Sequence, residues 1–580
     1  MSSVTRGSLA AAITLALGVS HAHATNFDVT NTNDSGAGSL RQALIDAAAD
    51  SNIPHTINLA AIAGQTINTT STLQFSPSGI DMDLSIVGSD VTVAGDGSGS
   101  VFGFSSDSDS YALDVSISDL TVTGGQASFG GGIAFEGYSK YDPISLTLDR
   151  VTITGNTSAS VGGGIGMYGG ILSLNDSTIT SNTANSGGGV FHYGLDLLVS
   201  GSLIASNTAE DSGGGLGNLD NDRFAWAQTL TERGLGGGGG TAAGIFGLMD
   251  YSVSISDSTI SGNYSDGFAG GALLFGYDGV SIARSTISDN EAAYDFGGVY
   301  AVGRYGPAVC DSTTISGNSA GFVGGGALIS EFDRATMNNC TVSGNTASGE
   351  VGGIALVGQF SAPEANFSTI VNNTSGSGVG GMLMFGGGQD RGFSFDPVVN
   401  TSIIAGNLAD GVASDLASEF QSVPTTERFN LLGQNEDGSN KRGFGSGNIN
   451  VNYTLLGSLS LSLTLDAVGQ DLLGQNPLLG PLADNGGPTL THLPGADSPA
   501  LNVVPGGTLG CGTTFTNDQR GDPRPINDGC DLGAAEIQGT AAPLPPALPV
   551  PVGNAIGMLL LAGLLGLAGM LGLRRRRVEI

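Results

Sequence analysis

The chain has 580 residues, 97 of them glycine, with 12% charged residues, two lysines and a formal net charge of −33. A surface of that sign repels nucleic-acid phosphates and anionic lipid, which excludes a nucleic-acid partner. Glycine without a three-residue period excludes a collagen-like chain, and the wealth of Ser, Thr, Asn, Gly and Val predicts an all-β, turn-dense fold.

Residues 1–24 read as an export signal. Arg6 supplies a short positive segment, Leu9 to Val19 an apolar one, and Ala22-His23-Ala24 places small residues where a signal peptidase reads them. Cleavage is expected between Ala24 and Thr25. Residues 25–54 are expected to form an N-terminal cap: Ser39 is placed to cap a helix whose apolar stripe is read as Leu40, Leu44, Ile45 and Ala48.

A self-similar unit then occupies residues 55–455. Its clearest form is Ser-Thr-Ile-Ser-Gly-Asn followed by a glycine cluster, and its asparagines are Asn156, Asn182, Asn207, Asn263, Asn290, Asn318, Asn345, Asn373 and Asn407. Three residues before each stands an apolar residue, as in Ile153, Ile179, Ile287 and Ile315; eight before stand Leu148, Leu174, Ile282 and Cys310. Five before stands mostly serine, as in Ser177, Ser258 and Ser285. Positions ten and eight before the Asn are two apart and share one strand face. Short period-two strands recurring about every 27 residues fit one coil of a right-handed parallel β-helix, and roughly 13 coils spaced about 4.8 Å apart would make a rod about 60 Å long. The Asn column is read as a structural ladder of stacked amides. The Gly clusters, such as Gly162-Gly163-Gly164, are read as corners, because they lack the lysine of a phosphate loop and recur.

One segment, residues 220–246, interrupts the repeat. It is first a glycine-rich loop, but it carries the only tryptophan, Trp226, near Phe224 and Arg223, a combination suited to stacking on a sugar. Residues 456–538 form a terminal domain, 539–552 a proline-rich linker and 553–573 an apolar run with one polar member, Asn554. As a helix of about 1.5 Å per residue that run would cross a bilayer core of about 30 Å. The basic tail 574–580, with Arg574 to Arg577, would stay on the cytoplasmic side and leave the rod outside, held at the cell surface or outer envelope.

Three resemblances accompany these readings. Val29-Thr30-Asn31-Thr32-Asn33-Asp34 with Gly38-Ser39-Leu40-Arg41-Gln42-Ala43-Leu44 resembles the N-terminal motif of secreted bacterial β-helix proteins, without that family's nearby cysteines. The repeat is similar to polymorphic outer-membrane-protein repeats. Asn476-Pro477-Leu478-Leu479, Leu482 to Thr489, Ser498-Pro499-Ala500, Asp518-Gln519-Arg520-Gly521 and Asp531 to Glu536 resemble, in order, the choice-of-anchor Q domain. That resemblance implies surface attachment through a C-terminal anchor and supplies no enzyme activity. The tail looks like the sorting tails of Gram-negative bacteria.

The sequence therefore predicts an exported, membrane-anchored surface protein, non-catalytic, adhesive or binding, with glycans or extracellular matrix as partners and no cofactor; oligomeric state is left open. The alternative is a carbohydrate-active β-helix enzyme, a polysaccharide lyase or glycoside hydrolase. Hydrolysis needs paired carboxylates and elimination needs a base, yet after loss of the signal only His55, His192 and His492 remain, scattered. Asp220-Asn221-Asp222 is followed by no full Ca²⁺-loop pattern, so neither a catalytic nor a metal site is assigned. Of the four cysteines, Cys310 and Cys340 are expected about 10 Å out of register on neighbouring coils, which leaves Cys310 buried and free, with a Cys511–Cys530 bridge in the terminal domain.

Overall fold

The structure, a computed structural model, describes residues 25–51, 53–106, 111–137, 143–218, 251–331, 335–358, 361–386, 397–419 and 448–538, the last apart from 453–454, 457–463, 468–471, 474 and 527. The expected signal peptide, the 220–246 insert with Trp226, Phe224 and Arg223, the linker, the membrane helix and the basic tail lie outside the described residues. Among those described, no helix is long and apolar enough to cross a membrane.

The chain forms two compact units that divide after Gly276. Both are built from coils whose strands stack in parallel on three faces. In the first unit Leu148, Leu174, Val199 and Ile255 align from coil to coil, as do Ile153, Ile179, Ile204 and Ile260. In the second, Ile287, Ile315, Val342, Ile370 and Ile404 form the matching column. All of these side chains are buried, so each coil places its branched residues directly on those of its neighbour, and the apolar interior is continuous along each stack.

The repeated hexapeptide and the residue before it can be understood position by position. Six residues before the Asn the backbone is left-handed, at Arg150, Asp176, Asp257, Arg284, Ser312 and Asn339 among others. This bends the first face and turns the next side chain, the serine, inward. One residue before the Asn the backbone is left-handed again, at Gly155, Ser181, Gly262 and Gly317. That requirement is why glycine recurs there. The glycine cluster has a different cause. A Cβ on Gly163 would run into the carbonyl oxygens of Gly188 and Thr183, so the corner closes only without a side chain.

The helix Leu40–Ala49 covers the first coil. Ser39 accepts a hydrogen bond from the Gln42 amide, and Arg41 reaches the Thr72 and Ser71 carbonyls while pairing with Asp34 at 2.6 Å. Its buried face is Leu40, Ala43, Leu44 and Ala47, not the expected stripe: Ile45 is 52% exposed. The observed set has the three-and-four spacing of one helix face, whereas Ile45 lies a further 100° round. Thr25–Asp28 pairs in parallel with His55–Asn58, so the cap segment also supplies the first rung.

The coils run past residue 455, where the repeat was expected to stop. Asn448–Asn452 and Leu455–Leu456 stack on the coil of Val398–Asn400, and Thr464–Ala467 and Leu472–Leu473 stack on them in turn. Residues from 476 onward then lie along the side of the second unit. Ala500, Val504, Cys511, Cys530 and Leu532 pack with Phe367, Val371, Ile403 and Ala405 as a second apolar core. The effect shows at the threonine four before each Asn. Thr152 and Thr178 are half-buried on the first unit, while Thr314, Thr341 and Thr369 are fully covered.

Candidate binding surface

The nine ladder asparagines are buried at 0–1% exposure. Asn182 shows the pattern. Its Oδ1 accepts from the Asn156 backbone amide and from Asn156 Nδ2, both at 3.0 Å; its own Nδ2 donates to Ile153 O at 3.0 Å and to Asn207 Oδ1 at 3.1 Å. Every lone pair and proton of the amide is used inside the coil, which leaves the column nothing to offer a ligand. The five-before column forms a second ladder that sequence reasoning did not find. Ser177 Oγ accepts from the Val151 amide at 3.1 Å and donates to Asn175 O at 2.8 Å, and Ser202 Oγ serves Ser177 likewise. Its only sequence signal was the recurrence of serine.

The three histidines are not brought together. His55 sits under the cap with Nε2 on Asp50 O, 3.1 Å away. His192 is wholly buried between Gly170 O, 3.1 Å from Nε2, and Asn218 Nδ2, 3.5 Å from Nδ1. Burial pushes its pKa down to about 4. His492 joins the terminal segment to the coils through Gly480 O and Ser343 Oγ at 2.7 and 2.9 Å. Among the described residues no group of three or more His, Cys, Asp or Glu side chains could hold a metal ion.

The terminal segment collects the motif blocks into one buried ionic network. Asp518 Oδ2 pairs with Arg520 at 2.8 Å and accepts the Glu536 amide, while its Oδ1 accepts the Arg520 and Asp522 amides. Arg524, fully buried, lies 3.7 Å from Glu536 and stacks 4.2 Å over the Phe367 ring of the coil. Burial, reinforced by Asp531 and opposed by Arg524, pushes the Glu536 carboxyl up to about 7. Gln519 donates to Thr314 and Thr489 Oγ1 at 2.8 and 2.9 Å and accepts from Thr341 Oγ1 at 2.7 Å. These groups are occupied in docking the segment. Cys511 and Cys530 are bonded beneath it.

Cys310 and Cys340 require a correction. Both are buried thiols, but they are not separated along a strand: their Sγ atoms are 2.9 Å apart. An extended strand would keep the two apart, but the left-handed residue Asn339 turns Cys340 into the interior beside Cys310 of the preceding coil.

Among the described residues, a groove of about 690 Å³ on the first unit is open to a ligand. Strands Leu73–Phe75, Phe102–Ser105 and Ile133–Glu136 make its floor, and Gln126–Phe129 with the turn 97–100 makes one wall. Its polar lining is mostly amide and hydroxyl, among them Gln74, Gln126, Ser98, Ser105 and Ser128. Gln74 Nε2 donates to Ser76 Oγ at 2.6 Å, and the Ser76 and Ser105 hydroxyls meet at 2.7 Å. Glu136 is the one ionisable residue among the described residues of the lining. Among the described lining residues there is no second carboxylate for hydrolysis of a glycosidic bond by a carboxylate pair.

Residues 238–375 match the family model described as "Right handed beta helix region". The coil is a right-handed parallel β-helix. No curated protein and no solved structure matches the chain. The β-helix accounts for the stacking and the corners, and the fold is consistent with either a surface binding or a carbohydrate-active protein.

Proposed function

We propose that this β-helix is an exported surface protein, anchored in a membrane by residues 553–573, that binds neutral, hydroxyl-rich polymers along its side without turning them over. The observation that carries the reading is the groove around Gln74, Ser105 and Gln126. It offers exposed donors and acceptors, which suit the hydroxyls of a glycan, and its described lining residues include no cation for an anionic chain. A net charge of −33 works in the same direction, against acidic polysaccharides. Support for the anchor comes from the apolar run and the arginines behind it.

The test is a glycan and matrix-protein binding screen on the full chain, repeated with Gln74→Ala/Gln126→Ala. A neutral glycan should bind the parent, and binding should fall at least about tenfold in the variant, the loss of two hydrogen bonds. Binding unaffected by the pair would remove the groove from the reading, and release of new reducing or unsaturated ends would move the assignment to a glycoside hydrolase or polysaccharide lyase. In fractionated cells, deletion of residues 553–580 should free the β-helix. Intact full-length chain found in the medium would refute the anchor.

A further inference from the structure

We propose that Cys310 and Cys340 are joined in the exported protein by a disulfide that staples two successive coils of the β-helix. The proposal rests on the export reading for its oxidising surroundings and on four observations for its site. First, the sulfurs already lie 2.9 Å apart, so bonding at about 2.05 Å asks for a sub-ångström adjustment. Second, each cysteine departs from its own column. Cys310 stands in the eight-before column, otherwise Leu, Ile, Val, Met or Ala, and Cys340 stands in the five-before column, otherwise hydroxyl or, in the first copy, Val151. Third, cysteine occurs nowhere else in the repeats, and these two departures fall in adjacent coils at the two positions that touch. Substitution for packing alone gives no reason for them to meet. Fourth, Cys340 keeps the ladder's contacts, but through sulfur in place of a hydroxyl oxygen. Its amide donates to Ser368 Oγ at 3.3 Å and its thiol reaches Asn338 O at 3.2 Å, a weaker partner than the serine hydroxyl it replaces.

The location gives the staple a purpose. Asn339 and Thr341, on either side of Cys340, both bond the docked terminal segment, through Asn517 O and Gln519 Oε1. The cross-link thus ties together the coils that receive this segment, which is itself closed by Cys511–Cys530. Formation is a thiol–disulfide exchange with an oxidised protein dithiol as the electron acceptor. One cysteine, as thiolate, attacks the donor's disulfide and forms a mixed disulfide. The other, losing its proton, then attacks the sulfur of the first. The donor leaves as its reduced dithiol with both electrons and both protons. Because both thiols are buried in the finished coil, the exchange belongs to folding, before the coils close over them.

The test uses full-length protein recovered from the envelope, alkylated with iodoacetamide in denaturant without reductant and cut with trypsin. Cleavage after Arg304, Arg334 and Arg391 places the two cysteines on peptides 305–334 and 335–391. The expected product is these peptides linked, lighter than their sum by two hydrogens. Cys511–Cys530 is the internal reporter of the compartment. If that bridge is found while Cys310 and Cys340 are both alkylated, the staple is overturned although export stands. If all four are alkylated, the export reading fails, and reduced chain refolded in a glutathione redox buffer decides: an alkylated pair overturns the staple, a linked pair supports it. Cys310→Ala and Cys340→Ser restore residue types already present at Ala365 and Ser368, so both should fold. Each should melt below the parent without reductant and level with it when all are in reductant. Variants that melt like the oxidised parent would show that no cross-link was lost.

Discussion

Asn407 directs two donors at one atom: its backbone amide and its Nδ2 reach Asp415 Oδ1 at 2.9 and 2.8 Å. The next asparagine of the ladder would have stood there, and an aspartate eight residues on replaces it where the coil turns back on itself. Asp415 is 1% exposed, so the column ends without an unpaired buried donor. Asp415→Asn keeps the accepting oxygen and should cost about 1 kcal/mol or less. Asp415→Ala strands both donors and should cost about 2–5 kcal/mol in urea unfolding. Equal midpoints for Asp415→Ala and the parent would show that the ladder needs no terminal acceptor.

Ile287 tests the apolar column. It is fully buried and aligned on Ile315. Ile287→Asp places an unpaired charge between stacked branched side chains and should lower stability by several kcal/mol, whereas Ile287→Val should cost about 1 kcal/mol. Thermal unfolding that ranked the two alike would contradict the column.

The repeat was legible because its three requirements each select residue types: branched side chains inside, an amide at the corner, and glycine where the backbone is left-handed or closely approached. Ile153, Asn156 and Gly163 each show one of these, and the glycine gives way to Ser414 in the last copy. What was not legible is what depends on a bend between two counted positions. Cys310 and Cys340 look out of register on paper because Asn339 turns the chain. Ile45 looked like part of the helix stripe because it is apolar, although its angle faces it outward. The choice-of-anchor Q-like blocks were visible as motifs, but nothing in their spacing said that Gln519 and Arg524 lie against Thr341 and Phe367, since those contacts bridge more than 150 residues. The groove was hidden for the same reason: Gln74, Ser105 and Gln126 belong to different coils.

His192 gives the first unit an acid limit. Its Nε2 proton is used on Gly170 O and its Nδ1 accepts from Asn218, so the protonated ring would set two donors against each other. Its folded pKa, pushed down to about 4, lies below the ordinary 6.5. On acidification the unfolded chain takes the proton first. The contribution of His192 is therefore complete above about pH 6.5 and is lost as pH falls toward 4, amounting to about 3 kcal/mol. His192→Met, copying the aligned Met167, should flatten the pH slope of stability across that window. A slope unchanged in the variant would assign the acid sensitivity elsewhere.

Asp295 has the opposite sign. Burial, with Glu350 adding to it and the Val323 amide opposing, pushes its carboxyl up to about 6. The folded state then holds the proton that the unfolded state has already released. Its contribution is complete below about pH 3.8 and is lost as pH rises through 6. Asp295→Asn keeps an oxygen for the Val323 amide and removes the charge, so at pH 7.5 it should stabilise the chain by about 1–2 kcal/mol, discounted for partial exposure. The gain should vanish near pH 4. A variant less stable than the parent at pH 7.5 would show that the charge is needed.

Gln519 tests whether the terminal segment is held by its motif. One buried amide serves three threonine hydroxyls, two on the coil and one, Thr489, within the segment. Gln519→Ala leaves Thr314 and Thr341 covered without that partner, at a cost of about 2–4 kcal/mol. The cost should fall on docking rather than on the coils, because the apolar columns around Ile315 and Val342 keep every contact. Limited proteolysis should therefore cut residues 476–538 faster in the variant, while the coils stay resistant. The neighbouring Arg524–Glu536 pair would loosen with the segment, since its arginine rests on Phe367 of the coil. Protection of 476–538 equal to the parent's would mean that the apolar contacts of Leu532 and Val504 hold the segment without the amide, and that the motif serves something other than docking.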